Sequence, residues 1–402
     1  MFCGVPGCRV FQTVFNVGAK VLPWRRAVPV TGSGAVAKIP GLLGQLGVAR
    51  PMVVTDRGLM ESGTAGVVLG VLEDASVRYA LFDRVESNPT VNTVNCIAEQ
   101  YRAQRCDGFV ALGGGSPMDA AKAAGARAVF PNKTVNQLGG LLRVWKKIPP
   151  LVAVPTTAGT GSETTIAALI TDGETRHKYA IMDLHLIPTY AVLDPDLLTG
   201  LPPAITAATG MDALTHAVEA YLCWTYNTAE SIRFALDAVK GIFANLEKTY
   251  NDGNDKGARM AMLEASYNAG FAFTRAGVGN VHAIAHTLGG LYDTPHGIAN
   301  AVILPVVLED YGERVFKKLS ALSEAAGIAR AGASDHEKAR AFIGAVRGLN
   351  ERMGIPRGFD FIKDEDIPRM IAWADKEANP LYPVPVVYGK KGFARIIQRI
   401  RR

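Results

Sequence analysis

The sequence of 402 residues contains no stretch of about eighteen uninterrupted apolar residues, so it offers no candidate for a membrane-spanning helix. Cysteine is sparse: Cys3, Cys8, Cys96, Cys106 and Cys223 form no CxxC pair. An odd, scattered set in a chain this long reads as reduced thiols in a cytoplasmic protein rather than a disulfide framework. Basic clusters are also scarce. Lys and Arg number 43 against 37 Asp and Glu, a net charge of +6, and they gather only in short runs at 25–26, 146–147, 390–391 and 399–402. Nucleic-acid binding needs a basic stripe, and none is present. The GxGxxG spacing of a dinucleotide fold and the GKS or GKT of a P-loop are both missing. There is no internal repeat, low-complexity tract or flexible linker.

What is present describes a globular chain long enough for two cores, with 48% hydrophobic and 20% charged residues. Its first half alternates short apolar runs with helical patterns, as a parallel α/β sheet does. Strands are expected at 51–55, 77–82, 109–112, 151–154 and 190–193, and helices at 90–105 and 118–130. Past residue 200 strand signals nearly vanish and helical periodicity takes over, at 205–222, 229–250 and 258–273. The expected organisation is an N-terminal extension over 1–27, a nucleotide-binding α/β domain over 28–202 and an all-α domain over 203–402. Within the extension, Val10, Val14, Val17 and Val21 share one helical face beside Phe11, Phe15 and Leu22. Arg9 and Lys20 flank that run and no small-residue cleavage site follows, which disfavours export. A helix packed on the protein or on a second subunit is expected, with docking to an assembly or membrane surface as the alternative.

Three turns in the first half suit a nucleotide. The run 109–112 leads into Gly113-Gly114-Gly115-Ser116-Pro117 and then a helix. The glycines allow a tight turn and close approach of a ligand, and free N–H groups at the helix start favour phosphate. Pro117 suits the first turn, and Asp119 is expected to complement the helix dipole there. Asp56 follows the strand at 51–55, where a carboxylate can accept from a ribose diol and would repel a 2′-phosphate. That points to NAD rather than NADP; otherwise Asp56 simply caps the next helix. The third turn, PTTAGTGSE at 155–163, packs hydroxyls and glycines more densely than a connection needs.

A metal is suggested by four of the seven histidines falling between Asp212 and His296, in DALTH, VHAIAH and TPHG. Asp212 and His216 stand four apart, as do His282 and His286, so each pair shares a helix face. A carboxylate on an apolar helix is costly to bury without a partner, and a cation would supply one. Asp and imidazole suit Fe²⁺, Zn²⁺, Mn²⁺ or Co²⁺, and the spacing does not choose among them. Only one of His282 and His286 is needed with His296 to complete four ligands. His177, His185 and His336 read as ordinary core or surface residues. Phe271, Phe273 and Tyr292 could line an apolar pocket or belong to the core.

Together, GGGSPMDAAKA (113–123), PTTAGTGSETT (155–165), ATGMDALTHAVEAY (208–221) and VHAIAHTLGGLYDTPHGIANAVILP (281–305) resemble the iron-containing (group III) alcohol dehydrogenases. The likeness runs from about Val30 to the C-terminus and leaves residues 1–27 outside the shared pattern. It implies a dehydroquinate synthase-like fold, a Rossmann-like α/β domain followed by a helical metal domain, with the active site between them. It further implies Asp212, His216, His282 and His296 as metal ligands, and His286 as a non-ligand histidine between substrate and nicotinamide. NAD would contact Asp56, Asn88, Gly114, Gly115, Ser116, Thr156, Thr157, Thr160 and Lys178. The metal is expected to be Fe²⁺, with Zn²⁺ or another divalent ion possible, and the assembly a homodimer or larger. The implied activity is NAD-dependent hydride transfer to or from a short-chain primary alcohol or diol. A glycerol or hydroxy-acid dehydrogenase, or a transhydrogenase of the same fold, is the alternative.

Overall fold

The computed structural model describes residues 4–173 and 178–402, so Cys3 and His177 lie outside the described residues. Packing divides the chain into two compact units, Pro23–Gly200, and Leu201–Arg402 together with the N-terminal segment through Leu22. Among the described residues no helix is long and apolar enough to cross a membrane.

Among the described residues, the Pro23–Gly200 unit contains nine strands: β1 (Val28–Thr31), β2 (Pro51–Val54), β3 (Ala80–Phe82), β4 (Gly108–Gly113), β5 (Gly140–Leu141), β6 (Leu151–Pro155), β7 (Ala167–Thr171), β8 (Lys178–Met182) and β9 (Tyr190–Leu193). Six form one sheet in the order β1-β9-β6-β4-β2-β3, and every pair in it is parallel. Its central strands β2, β4 and β6 are buried along their whole length, which is why they read as continuous apolar runs. The five strands expected from the sequence are all in this sheet. The sixth, β1, is a mostly exposed edge strand containing Pro29, and it carries too little apolar signal to stand out. The small β5-β8-β7 sheet was not expected either.

The helix Gly115–Val129 begins three residues earlier than the periodicity suggests, directly after Gly114. Asp119 therefore sits beyond its first turn and does not complement the dipole. Its buried carboxylate instead accepts from Ser162 Oγ at 2.7 Å and Leu169 N at 3.0 Å. One turn on, the fully buried Lys122 ammonium donates to Ser162 O (2.6 Å), Ser162 Oγ (2.9 Å), Thr165 Oγ1 (2.8 Å), Thr165 O (3.1 Å) and Ala167 O (3.0 Å). Burial pulls Lys122 down to about 8, against the upward pull of Asp119 and Glu163. This pair fastens the helix to the 162–167 turn and to β7, and so sets the path of the loop that follows β6.

In the helical unit, the helices Pro203–Leu222, Ala229–Asn251 and Lys256–Ala276 hold one another through shared apolar faces. They start at side-chain caps where the sequence offers them, at Thr228 with Ser231 and at Asp255. Asn280–Tyr292 ends at Asp293 in the left-handed conformation (φ 52°), and a Thr-Pro step starts His296–Tyr311. That short turn sets His282 and His296 on facing helices. Gly297 then packs against the first of these helices so closely that a Cβ would lie 2.0 Å from Ala208 O.

The N-terminal helix Gly4–Lys20 packs on this unit, but not by its valine face. Val10, Val14, Val17 and Val21 are 64–83% exposed, while Cys8 and Gln12 are buried. The inward face is polar and aromatic because loop carbonyls there require donors: Arg9 and Gln12 supply them, and Phe15 meets Tyr226 at 5.2 Å.

Two substitutions test these packings. Lys122→Met leaves five acceptor contacts at Ser162, Thr165 and Ala167 unmade and removes the cation whose field favours the buried Asp119 carboxylate, and is expected to cost about 3–5 kcal/mol. A loss below about 1 kcal/mol in urea unfolding would refute the anchoring role. Gly297→Ala forces two backbones apart and is expected to cost about 1–3 kcal/mol in the same assay. An unchanged midpoint would show that the approach is not tight.

Candidate metal centre and cofactor cradle

The helix Pro203–Leu222 places Asp212, His216 and Glu219 along one face, at spacings of four and three residues. Asn280–Tyr292 brings His282 and His286, and His296–Tyr311 brings His296 and, one turn later, Asn300. One ligand atom each from Asp212, His216, His282 and His296 lie within 4.8 Å of one another. Asp212, His216 and His282 are buried and His296 is partly exposed. Asp212 Oδ1 lies 3.5 Å from His296 Nε2 and 4.0 Å from His282 Nε2. The His216 ring stacks between Phe273 (4.2 Å) and His282 (4.6 Å), which fixes its plane.

The orientation of His282 is set from behind. Glu219 Oε2 accepts its Nδ1–H at 2.6 Å, and the carboxylate also accepts from Gly279 N and Val281 N, each at 2.8 Å. Gly279 must be glycine, since a Cβ there would meet Glu219 Oε1 at 2.6 Å. With Nδ1 donating, Nε2 keeps its lone pair and turns it toward Asp212. Burial pulls His282 down to about 4, so the ring is neutral at physiological pH, and burial lifts Glu219 to about 7. A neutral imidazole is the form that binds a metal.

The centre of the cluster shows what it lacks chemically. Asn300 Nδ2 approaches Asp212 Oδ1 (2.7 Å), His296 Nε2 (3.1 Å) and His282 Nε2 (3.2 Å). Three acceptors converge on one amide nitrogen that has only two hydrogens. A buried carboxylate and imidazole lone pairs pointing inward fit a divalent cation, and the donor set suits Fe²⁺ or Zn²⁺.

His286 lies beside this cluster rather than in it. Its ring is 5.1 Å from His296 and 6.0 Å from His282, centre to centre, and its Nδ1 faces Glu377 Oε1 at 2.6 Å. The sequence leaves His282 and His286 interchangeable; the geometry separates them. Of the aromatic candidates, Phe273 reaches the site through His216. Phe271 packs on Phe234, and Tyr292 is engaged with Asp366 and Phe361. His185 bonds Asp183, and His336 packs edge-on against Phe316.

In the α/β unit Asp56, Asn88, Gly114–Ser116 and Thr156–Thr160 follow the C-terminal ends of parallel strands, where open α/β sheets bind ligands, while Lys178 opens β8 of the small sheet. Gly113 has φ +148°, and a Cβ on it would meet Pro117 Cγ at 2.6 Å, so only glycine turns the chain there. A Cβ on Gly114 would lie 3.3 Å from Thr157 Oγ1, and one on Gly115 3.0 Å from Thr160 Cγ2. Thr156 N donates to Gly113 O at 3.0 Å. The glycine turn and the threonine turn thus touch, with no side chain between them. Ser116 Oγ donates to Ser87 O (2.5 Å) and Lys178 Nζ to Asn88 Oδ1 (3.3 Å), which ties 87–88 and 178 to the rim. Asp56, after β2, uses Oδ1 to cap the helix Arg57–Glu61 through Leu59 N at 3.0 Å. The capping role is therefore present; it engages one carboxylate oxygen.

Sequence reasoning missed Glu219, Asn300 and Glu377. Glu219 carried a usable signal, since it stands three residues after His216 on the same face. Asn300 likewise stands four after His296. Glu377 lies 91 residues from His286 and had none.

The description "iron-containing alcohol dehydrogenase" matches residues 28–195, and the C-terminal part of the same family matches 206–400. The chain is 39% identical over 352 residues to 1,3-propanediol dehydrogenase of Klebsiella pneumoniae, covering 87% of this chain and 90% of that one. It is 37% identical over 340 residues to the NAD-dependent methanol dehydrogenase of Bacillus methanolicus, covering 84% and 89%. Among solved structures, a 1,3-propanediol oxidoreductase superposes with a TM-score of 0.90 at 36% identity, covering 94% of this chain and all of that one. With both halves matched and the same fold shared almost end to end, this chain is an oxidoreductase of the iron-containing alcohol dehydrogenase family.

Proposed function

We propose that the chain is a metal-dependent NAD(H) alcohol dehydrogenase and aldehyde reductase, acting on a short-chain primary alcohol or diol. The observation that carries this reading is the convergence of Asp212, His216, His282 and His296 around a point that three acceptors approach together. The relatives named for propanediol and methanol support the substrate class, and the NAD-dependent methanol enzyme supports the cofactor. In this reading residues 28–202 bind NAD, residues 203–402 hold Fe²⁺ (or Zn²⁺ or another divalent ion), and residues 1–27 are an extension. Free Cys8, Cys96, Cys106 and Cys223 agree with a cytoplasmic protein, and the family resemblance favours a homodimer or larger assembly. No nucleic-acid partner is expected.

A divalent ion supplies Lewis acidity, which lets an alcohol give up its proton near neutral pH or polarises an aldehyde carbonyl. Asp212 and the three imidazoles would hold that charge, and Glu219 keeps His282 in the tautomer that would bind it. Gly114, Gly115 and Ser116 offer backbone donors to the pyrophosphate of NAD, with Thr156, Thr157 and Thr160 alongside. Asn88 and Lys178 complete the rim. The second oxygen of Asp56 is the group we assign to the ribose diol, which favours NAD over NADP. NAD, when bound, would supply the hydride acceptor or donor for the substrate carbon. His286 handles the proton: its Nδ1 is committed to Glu377, so Nε2 is the nitrogen that exchanges it with the alcohol oxygen or the cofactor ribose.

The test is NADH oxidation by anaerobically purified protein with a series of short aliphatic aldehydes. We expect turnover with NADH and poor turnover with NADPH. His286→Ala should lower kcat by about 10²–10⁴-fold with bound metal retained. Unchanged kcat and pH profile in that variant would remove His286 from the proton path.

A further inference from the structure

Residues 4–20 precede the stretch shared with the family, yet they are built into the surroundings of His286. Gln12 is fully buried in a helix whose valines face solvent. A buried amide is costly unless its hydrogen bonds are made, so its position is informative. Gln12 Nε2 donates to Tyr382 O at 2.7 Å and to Pro380 O at 3.1 Å, and its Oε1 accepts from Arg9 at 3.0 Å. Arg9 donates in turn to Val384 O (2.8 Å) and Pro385 O (2.9 Å), with its guanidinium 4.4 Å over the Trp224 ring. All four carbonyls belong to the irregular segment that follows the helix Ile367–Ala378. Tyr382 O also accepts from Val384 N at 2.9 Å, and the N-terminal helix supplies a donor to each of the four.

That segment also reaches His286. Tyr382 Oη donates to Glu377 Oε1 at 2.7 Å, the same oxygen that accepts from His286 Nδ1 at 2.6 Å. Pro383 and Val384 lie against Gly277 and Gly279, just before the helix that carries His282 and His286. A continuous path of contacts therefore runs from Gln12 through the Tyr382 backbone and ring to Glu377 and His286.

We propose that the helix Gly4–Lys20 is an intramolecular clamp on the 379–385 segment, and that Gln12 is a positioning residue which holds Tyr382 and Glu377 in register with His286. The proposal rests on the reading of His286 as the proton-handling group. It assigns the extension a role in turnover rather than in targeting, through its inward polar face and not through its valines.

The experiment compares the full-length protein with Gln12→Leu, which keeps apolar bulk and removes both donors, and with Val14→Ser on the exposed face. Backbone amide exchange in 379–386, metal content, kcat and KM are measured on each. Gln12→Leu is expected to exchange faster in 379–386 and to lose about tenfold in kcat, the scale of one lost buried hydrogen bond. Its KM for NADH and its metal content should not change, and Val14→Ser should match the parent throughout. Unchanged exchange in Gln12→Leu overturns the clamp. Faster exchange with unchanged kcat overturns the positioning role. An effect of Val14→Ser equal to that of Gln12→Leu shows that the helix acts through its outer face and also overturns the proposal. Should Gln12→Leu fail to fold, Arg9→Met carries the same expectations through Val384 and Pro385. Failure of the His286 reading is distinguishable, because amide exchange does not depend on turnover.

Discussion

A carboxylate and three imidazoles, buried or nearly so, point their lone pairs at one another at the heart of the helical unit. Left alone, such an arrangement is electrostatically unfavourable, since three of its acceptors share the two hydrogens of one amide nitrogen, that of Asn300. Much of the surrounding structure makes it possible. Gly297 lets the helix bearing His296 close on the helix bearing Asp212. Gly279 leaves room for Glu219, which spends its carboxylate on Gly279 N, Val281 N and the far side of His282. Asn300 brings two hydrogens where three acceptors wait. A divalent charge would offset the remaining imbalance, and the donors packed around Asp212 fit one.

The glycine and threonine turns, the candidate cradle for a cofactor, depend on sterics more than on charge. Gly113, Gly114 and Gly115 are glycines because Pro117, Thr157 and Thr160 occupy the space where side chains would go. Two backbone turns from neighbouring parallel strands thereby meet with no side chain between them. Lys122 and Asp119, from the same motif, hold the second turn from beneath through Ser162 and Thr165. A motif that reads as a phosphate signature thus divides its labour: glycines make the opening, and the buried Lys122 and Asp119 side chains support it.

Periodicity carried the architecture well. Buried parallel strands and long amphipathic helices are patterns of several residues, and each recovered element from β2 to β9 of the main sheet had such a pattern. What failed was local or remote. The edge strand Val28–Thr31 is exposed and too short to show alternation. Asp119 was placed by proximity to a helix start, but tertiary bonds to Ser162 and Leu169 claimed it. The valine stripe at 10, 14, 17 and 21 does not say which face of that helix turns inward; the donors Arg9 and Gln12 decide the orientation, because they meet loop carbonyls. In the site, residue types at helical spacing made Asp212, His216, His282 and His296 visible as candidates. Spacing alone did not separate His282 from His286. That distinction comes from Glu219 and Glu377, which orient the two rings differently, and Glu377 is invisible until the chain is folded.

The most direct test of the account is anaerobic calorimetric titration of chelator-treated protein with Fe²⁺, run on the parent, His282→Ala and His286→Ala. The account predicts one tight site per chain in the parent, its loss in His282→Ala and its retention in His286→Ala. No saturable binding in the parent, or binding in His282→Ala as tight as in the parent, would contradict it.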